Sequence, residues 1–142
     1  SGVTQREKNA MGPHNAEALL VHPDTGEVSV ATKGSGEPGA MYRPTGPLLE
    51  SRENALRWVM DVPASITDGA WELSAAGEPR LVLIDYFRIH RLADSGWVSQ
   101  FGPLQLQREA MAWPWVAEGV PSDTVRLGSE GTNSTILTAP VP

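Results

Sequence analysis

The chain has 142 residues and a mass of 15.3 kDa, and 11 Lys and Arg against 17 Asp and Glu give a net charge of −6. This acidic balance argues against a general nucleic-acid binder, because a basic face that neutralises phosphates supplies most of that affinity. The absence of cysteine excludes a disulfide framework, a cysteine-based zinc site and a cysteine nucleophile. No apolar run approaches the roughly 18 residues that would cross a bilayer, so no membrane partner is expected.

Glycine and proline are frequent, with 14 and 12 residues, which favours short strands joined by tight turns over a helical bundle. Apolar residues make up 40% of the chain and charged residues 20%, which is typical of a folded chain. Residues 1–11 are largely polar and are expected to be a flexible or appended lead-in that contains no signal peptide. Residues 12–142 are expected to form a single all-β domain.

The first region, 15–63, has the two-residue periodicity of strands. His22-Pro23-Asp24-Thr25-Gly26 has the composition of a hairpin turn. A helix over 51–60 would place Leu56 and Met60 on one side. Alternation of the apolar positions Leu56, Trp58, Met60 and Val62 favours a strand over 55–62 instead. The predicted strands of this region are 17–21, 27–33, 40–43 and 55–62.

Two further regions, 64–107 and 108–142, carry similar patterns of short strands and turns. The run 81–92 is the strongest β signal in the chain and is long enough for two strands or one bent strand. The final Pro140-Val141-Pro142 is incompatible with a central strand. The other predicted strands are 70–73, 110–113, 124–127 and 134–138.

The three regions form a loose internal repeat. Each opens a strand directly after a polar group, at Glu17-Ala18, Gly69-Ala70 and Glu109-Ala110. A period of about 40–50 residues with several short strands in each unit is typical of β-propeller blades. Three loosely matching units are also compatible with a compact β-barrel or sandwich, which remains the alternative.

Several motifs resemble segments of uncharacterised bacterial, largely actinobacterial, β-propeller proteins. They are 12–26 (Gly-Pro-His-Asn-Ala-Glu-Ala-Leu-Leu-Val-His-Pro-Asp-Thr-Gly), 67–70, 105–110 and 127–131, with Ala139-Pro140. The resemblance covers residues 12–142 in order and implies the C-terminal half of such proteins, which are about twice as long and often secreted. Two features depart from the pattern: the acidic strand-start motif of an N-terminal half is absent, and residues 113–120 replace a short turn.

The resemblance and the repeat together imply about half of a propeller ring. Three blades would leave two open sheet faces, which are a liability in a soluble protein. We therefore expect self-association, in which two chains close a six-bladed ring, or a complementary half-propeller chain. The alternatives are collapse of the three units into a barrel or sandwich, and loss of the other half of a longer chain.

The polar residues that open the strands are the predicted ligand-binding site. Asn15, Glu17, Asp68 and Glu109 would converge on the propeller axis if the units are blades. Converging carboxylates repel one another, so Glu17, Asp68 and Glu109 would favour a divalent cation such as Ca²⁺ or a cationic ligand. The alternative is that each carboxylate accepts backbone N–H groups from the neighbouring unit.

Histidines and tryptophans supply the other candidates. His14 is the candidate general base, because it would share the channel mouth with Glu17. His22 is expected to be a turn residue and His90 a packed or surface histidine. The tryptophans are most simply explained by blade packing and the core, and Trp113 and Trp115 are the candidates for a platform on which sugars or other rings stack.

These patterns predict a ligand-binding or scaffold module with an acidic site at the channel mouth. By analogy with propeller enzymes, the alternative is a metal-dependent hydrolase, lactonase- or esterase-like, in which a cation polarises a carbonyl group. A further alternative is a small β enzyme of secondary metabolism with a tryptophan-lined cavity for its substrate.

Overall fold

The computed structural model describes residues 15–74, 76–102, 108–112, 123–129 and 136–142, with only the backbone described over 108–112. These residues form strands and contain no helix. The strands are β1 Ala16–Val21, β2 Val28–Thr32, β3 Gly39–Pro44, β4 Leu56–Val62, β5 Asp68–Leu73, β6 Pro79–Ile84, β7 Arg88–Ala93, β8 Gly96–Phe101, β9 Arg108–Ala112, β10 Thr124–Ser129 and β11 Leu137–Pro140. A helix able to cross a membrane is not found in this part of the chain.

The strands form three separate antiparallel sheets, and none of them closes on itself. Sheet 1 has the order β1-β2-β3-β4, sheet 2 has β5-β6-β7-β8, and sheet 3 has β9-β10-β11. Each is a meander in which consecutive strands pair. The all-β prediction is confirmed, and 56–62 is a strand rather than part of a helix.

The turn between β1 and β2 shows why this sequence forms hairpins. Gly26 has a positive φ of 69°, a conformation that only glycine adopts without steric cost. Its N–H donates to the His22 carbonyl at 2.9 Å. The His22 Nδ1 accepts from the Asp24 N–H at 3.2 Å, so His22 is a turn residue as predicted.

The sheets stack face to face, with sheet 2 in the middle. Successive residues of β6 point to opposite faces. Leu81 and Leu83 belong to a buried cluster with residues of sheet 1, whereas Val82 and Ile84 pack with residues of sheet 3. All four are almost completely buried. β6 is therefore the centre of the core, in agreement with the strong β signal over 81–92.

The first strands of the sheets lie next to one another. β1 packs against β5, and β5 packs against β9. Ala18 and Ala70 occupy equivalent positions in the repeat. Ala18 of β1 packs with sheet 2, and Ala70 of β5 packs with sheet 3, so each sheet turns the same face toward the next one. This arrangement places the beginnings of β1, β5 and β9 at one end of the stack.

Candidate functional site

Glu17 lies at an irregularity of the strand pairing between β1 and β2. Its neighbours Ala16 and Ala18 pair with Thr32 and Ala31, so Glu17 is the extra residue of a β-bulge. Bulges redirect side chains and are frequent beside functional sites. The Lys33 Nζ lies 3.7 Å from a Glu17 carboxylate oxygen, which partly neutralises this acid.

Lys33 also connects Glu17 to sheet 2. Its Nζ donates to the Tyr86 hydroxyl at 3.0 Å, and Tyr86 lies in the turn between β6 and β7. The hydrogen bond with Tyr86 raises the pKa of Lys33, although partial burial acts in the opposite direction. The Lys33 backbone N–H donates to the carbonyl of Asn15, a solvent-exposed residue, at 2.7 Å. Glu17 and Tyr86 are thereby brought together around the Lys33 ammonium group, and Asn15 is held by the backbone of the same lysine.

Glu109 occupies the corresponding place in sheet 3. Arg108 pairs with Ser129 and Ala110 with Gly128, so the residue between them is again at a bulge. β5 has no bulge, and its residue at the position corresponding to Glu17 and Glu109 is Gly69. A side chain is disfavoured at this position because a Cβ on Gly69 would lie 2.3 Å from Leu83 Cδ2. The side chain of Glu109 lies outside the described residues.

Asp68 is the first residue of β5, and its carboxylate Oδ1 accepts from the Gly69 N–H at 2.8 Å. It therefore lies at the same end of the stack as Glu17. Among the described side chains, no group of three or more acidic or histidine residues is placed to hold a metal ion. His14, Trp113 and Trp115, the predicted base and stacking platform, lie outside the described residues.

A second polar network centres on His90 of β7. The His90 Nε2 lies 3.0 Å from Asp85 Oδ2, and its Nδ1 lies 2.6 Å from Ser99 Oγ on β8. Both contacts are satisfied by the tautomer in which Nε2–H donates to Asp85 and the Ser99 hydroxyl donates to Nδ1. This order of acid, imidazole and hydroxyl has the polarity of a general-base relay.

The surroundings of the network favour a structural role. His90 is only 2% exposed, and the other oxygen of Asp85 accepts the backbone N–H groups of Phe87 and Arg88 at 2.7 and 2.6 Å. Burial alone would raise the pKa of Asp85, but the hydrogen bonds from His90 and the turn hold it below its usual value. The network thus closes the β6–β7 turn and fixes it to β8. His90 is a packed histidine, as the sequence predicts.

A third cluster, which sequence analysis missed, joins sheets 2 and 3. Glu72 of β5 and Arg80 of β6 are direct cross-strand partners and form an ion pair. Arg80 Nη2 also lies 2.7 Å from an oxygen of Asp123, directly before β10. Burial raises the pKa of Glu72 to about 7, despite the opposing effect of Arg80. The second oxygen of Glu72 is buried without a hydrogen-bond partner among the described residues.

The described tryptophans mainly contribute to packing between sheets 1 and 2. The Trp71 ring of β5 lies edge-on to His22, with 4.4 Å between the ring centroids. The Trp97 Nε1–H of β8 donates to the Asp61 carbonyl of β4 at 3.3 Å. Trp71 and Trp97 both pack against the core cluster between these sheets. These contacts support the packing interpretation for these residues.

No protein-family model matches the chain, and neither a curated protein nor a solved structure gives a significant match. The resemblance to actinobacterial β-propeller proteins therefore stays a prediction from the motifs within 12–142.

Proposed function

We propose that the chain is a β-propeller-type binding and scaffold module. Its three sheets would be successive blades, and a second copy of the chain would complete the ring. The packing of β1 on β5 and of β5 on β9 supports this proposal, because propellers repeat meander sheets around a central channel lined by one strand of each blade.

The observation that carries the proposal is the open face of sheet 1. Leu19 pairs with Val30, Val30 with Tyr42, and Tyr42 with Trp58, so one apolar row crosses all four strands. Leu19 is 70% exposed, and neighbouring Val21 is 53% exposed. The corresponding face of sheet 2 is the one that packs against sheet 1. An apolar face of this extent on a soluble domain marks an interaction surface.

The outer face of sheet 3, on the opposite side of the stack from the open face of sheet 1, is chemically different. Sheet 3 exposes Arg126 and its cross-strand partner Thr138 on the side turned away from sheet 2. In a ring with two-fold symmetry about the channel, sheet 1 of one copy would meet sheet 3 of the other. A guanidinium group such as that of Arg126 packs well on aromatic rings, and Tyr42 and Trp58 supply two. This complementarity favours a second copy as the occupant.

The ligand site of this ring would be the end at which β1, β5 and β9 begin. Glu17 and Asp68 lie at this end, and the bulge at Glu109 corresponds to the bulge at Glu17. Two copies would double this set of carboxylates around one axis. Lys33 offsets part of the charge of Glu17, and the remaining negative charge would favour Ca²⁺ or an organic cation, because converging carboxylates repel one another.

The association is tested by light scattering coupled to size exclusion at tens of micromolar. We expect twice the chain mass of 15.3 kDa for the native chain and one chain mass for Leu19→Arg. Leu19 is exposed, so this variant should keep the far-ultraviolet circular dichroism of a folded chain. Leu49→Arg, at an exposed loop position, is the matched control and should stay dimeric. A folded native monomer would refute ring completion by a second copy.

The acidic site is tested by calorimetric titration of the native chain with CaCl₂. We expect saturable binding that Glu17→Gln and Asp68→Asn both weaken by about tenfold. Asp24→Asn, in the exposed turn at the opposite end of β1, is the control and should bind calcium like the native chain. No heat and no calcium-dependent rise in melting temperature would remove the cation site but leave the association result unaffected.

A further inference from the structure

A cleft of about 380 Å³ opens at the end of sheet 1 that is opposite to Glu17. Its walls are the turn between β1 and β2 and the loop between β3 and β4, and they include the apolar Pro44, Pro47 and Leu48. This volume falls within the range of small-molecule sites in proteins. The cleft is separate from the acidic site proposed above and does not depend on it or on association.

Two arginines line this cleft from neighbouring strands. Arg43 of β3 and Arg57 of β4 are direct cross-strand partners, so their side chains leave the same face of sheet 1. Like charges placed directly opposite each other destabilise a sheet. Glu27 offsets the charge of Arg43 alone, and an anion bound between the two guanidinium groups would offset the remaining positive charge.

The two arginines differ in how they are held. Arg43 Nη1 lies 3.0 Å from Glu27 Oε1, and Arg43 Nε donates to the buried Ser29 Oγ at 3.2 Å. These contacts fix the Arg43 side chain before any ligand binds. Arg57 is exposed and has no ion pair or hydrogen bond through its side chain within the part of the chain that the structure describes. Two guanidinium groups thus line the cleft, that of Arg43 already held in place and that of Arg57 available to a ligand. The carboxylate of Glu27 is the one acidic group among the described lining residues.

We propose that this cleft binds a small organic anion. Arg43 and Arg57 would hold its carboxylate or phosphate group, since guanidinium forms paired hydrogen bonds with either group. The apolar part of the ligand would pack on the proline and leucine walls around Leu48. Both parts are required, because a fully hydrated inorganic ion would make no use of the apolar walls.

Calorimetric titrations with benzoate and with phenyl phosphate test the proposal, and inorganic phosphate serves as the probe of charge alone. We expect one of the organic anions to bind in a saturable manner and more tightly than inorganic phosphate. Arg57→Gln should raise its dissociation constant about tenfold, which is typical for loss of a hydrogen bond to a charged group. Since Arg57 has no side-chain partner in the described residues, this variant should fold normally.

Two matched variants complete the test. Arg88→Gln removes an exposed arginine of sheet 2 that does not line the cleft, and it should leave the dissociation constant of the organic anion unchanged. Leu48→Ser should weaken the organic anion about threefold, from loss of apolar contact, and leave inorganic phosphate unaffected. The proposal is refuted if neither organic anion binds, if inorganic phosphate binds as tightly, or if Arg57→Gln and Arg88→Gln have equal effects. The tighter of benzoate and phenyl phosphate identifies the preferred head group.

Discussion

Glu72 of β5 and Arg80 of β6 are direct cross-strand partners in sheet 2, and their ion pair extends through Arg80 to Asp123, directly before the first residue of β10 in sheet 3. Glu72 is 1% exposed. One of its oxygens has no hydrogen-bond partner among the described residues, whereas Arg80 forms a second ion pair with Asp123. A buried carboxylate that is only half satisfied favours its protonated form.

The first prediction concerns the pH dependence of stability. The pKa of Glu72 rises from an ordinary 4.5 to about 7 in the folded chain, so the folded state binds this proton more tightly than the unfolded state. The resulting stabilisation is complete below pH 4.5 and is lost as the pH rises to about 7. The free energy of unfolding should fall by roughly 3 kcal/mol across this window.

Urea unfolding from pH 4.5 to 8 measures this effect. Glu72→Gln keeps the shape of the side chain and removes its charge, so its stability should be nearly flat in this window and exceed that of the native chain at pH 8. Glu53→Gln, at an exposed loop position, is the control and should retain the native slope. Equal slopes for the native chain and Glu72→Gln would show that Glu72 ionises normally.

The second prediction concerns the network of Asp85, His90 and Ser99. His90→Ala should lower the free energy of unfolding by about 2 kcal/mol, because one Asp85 oxygen would lose its partner in a buried site. Ser99→Ala should cost less, about 1 kcal/mol, since Ser99 is exposed and water can replace its hydroxyl. Equal losses in the two variants would mean that Asp85 does not depend on His90.

The same network predicts a response to acid. The pKa of Asp85 is lowered from its ordinary 3.8, so the unfolded state binds this proton more tightly. The stabilisation is present above pH 3.8 and is lost as the pH falls through the lower folded value. Asp85→Asn should therefore reduce the loss of stability on acidification below about pH 4. Melting temperatures between pH 2 and 5 measure this, and unchanged acid sensitivity in the variant would contradict it.

The strands were predictable where apolar residues alternate or form a continuous run, as in the doubly buried Leu81 to Ile84. β6 and β7 together cover most of the run 81–92, and Asp85 divides them because its carboxylate accepts the N–H groups of Phe87 and Arg88. β8 was not predicted. Its sequence Gly-Trp-Val-Ser-Gln-Phe has no clear apolar face, because it is a mostly exposed edge strand that is stabilised by pairing with β7.

The site residues were less predictable because their partners are distant in sequence. Arg80 and Asp123 are 43 positions apart, and only the stacking of sheets 2 and 3 brings them together. The bulge at Glu17 depends on the register with β2, which a single-strand pattern does not contain. The acidic residues could be selected from the repeat, but the neutralising contact of Glu17 with Lys33 could not.

The fourth prediction tests the central position of sheet 2. Leu83→Ala removes a fully buried side chain from the cluster between sheets 1 and 2 and should cost about 2–5 kcal/mol, as cavities in well-packed cores do. Leu49→Ala, at an exposed loop position, is the matched control and should change stability by less than about 0.5 kcal/mol. Chemical denaturation measures both changes, and a small effect of Leu83→Ala would show that the sheets do not stack as described.

The last prediction concerns Gly39, the first residue of β3. A Cβ at Gly39 would lie 2.0 Å from the Thr32 carbonyl oxygen and 3.1 Å from Val62 Cγ2. The first contact is with backbone, which cannot move without breaking the pairing of β2 and β3. The Thr32 hydroxyl, which accepts from the Ala40 N–H at 3.1 Å, would be displaced as well. Gly39→Ala should therefore destabilise the chain by about 2 kcal/mol or more.

Gly46→Ala is the matched control for this substitution. A Cβ at Gly46 would meet no atom within 4 Å, so the added methyl group has room. Gly46 is also not among the glycines with positive φ, so alanine is compatible with its backbone conformation. This variant should be neutral or slightly stabilising, because alanine restricts the unfolded chain. Similar melting temperatures for the two variants would show that β2 and β3 do not approach each other this closely at Gly39.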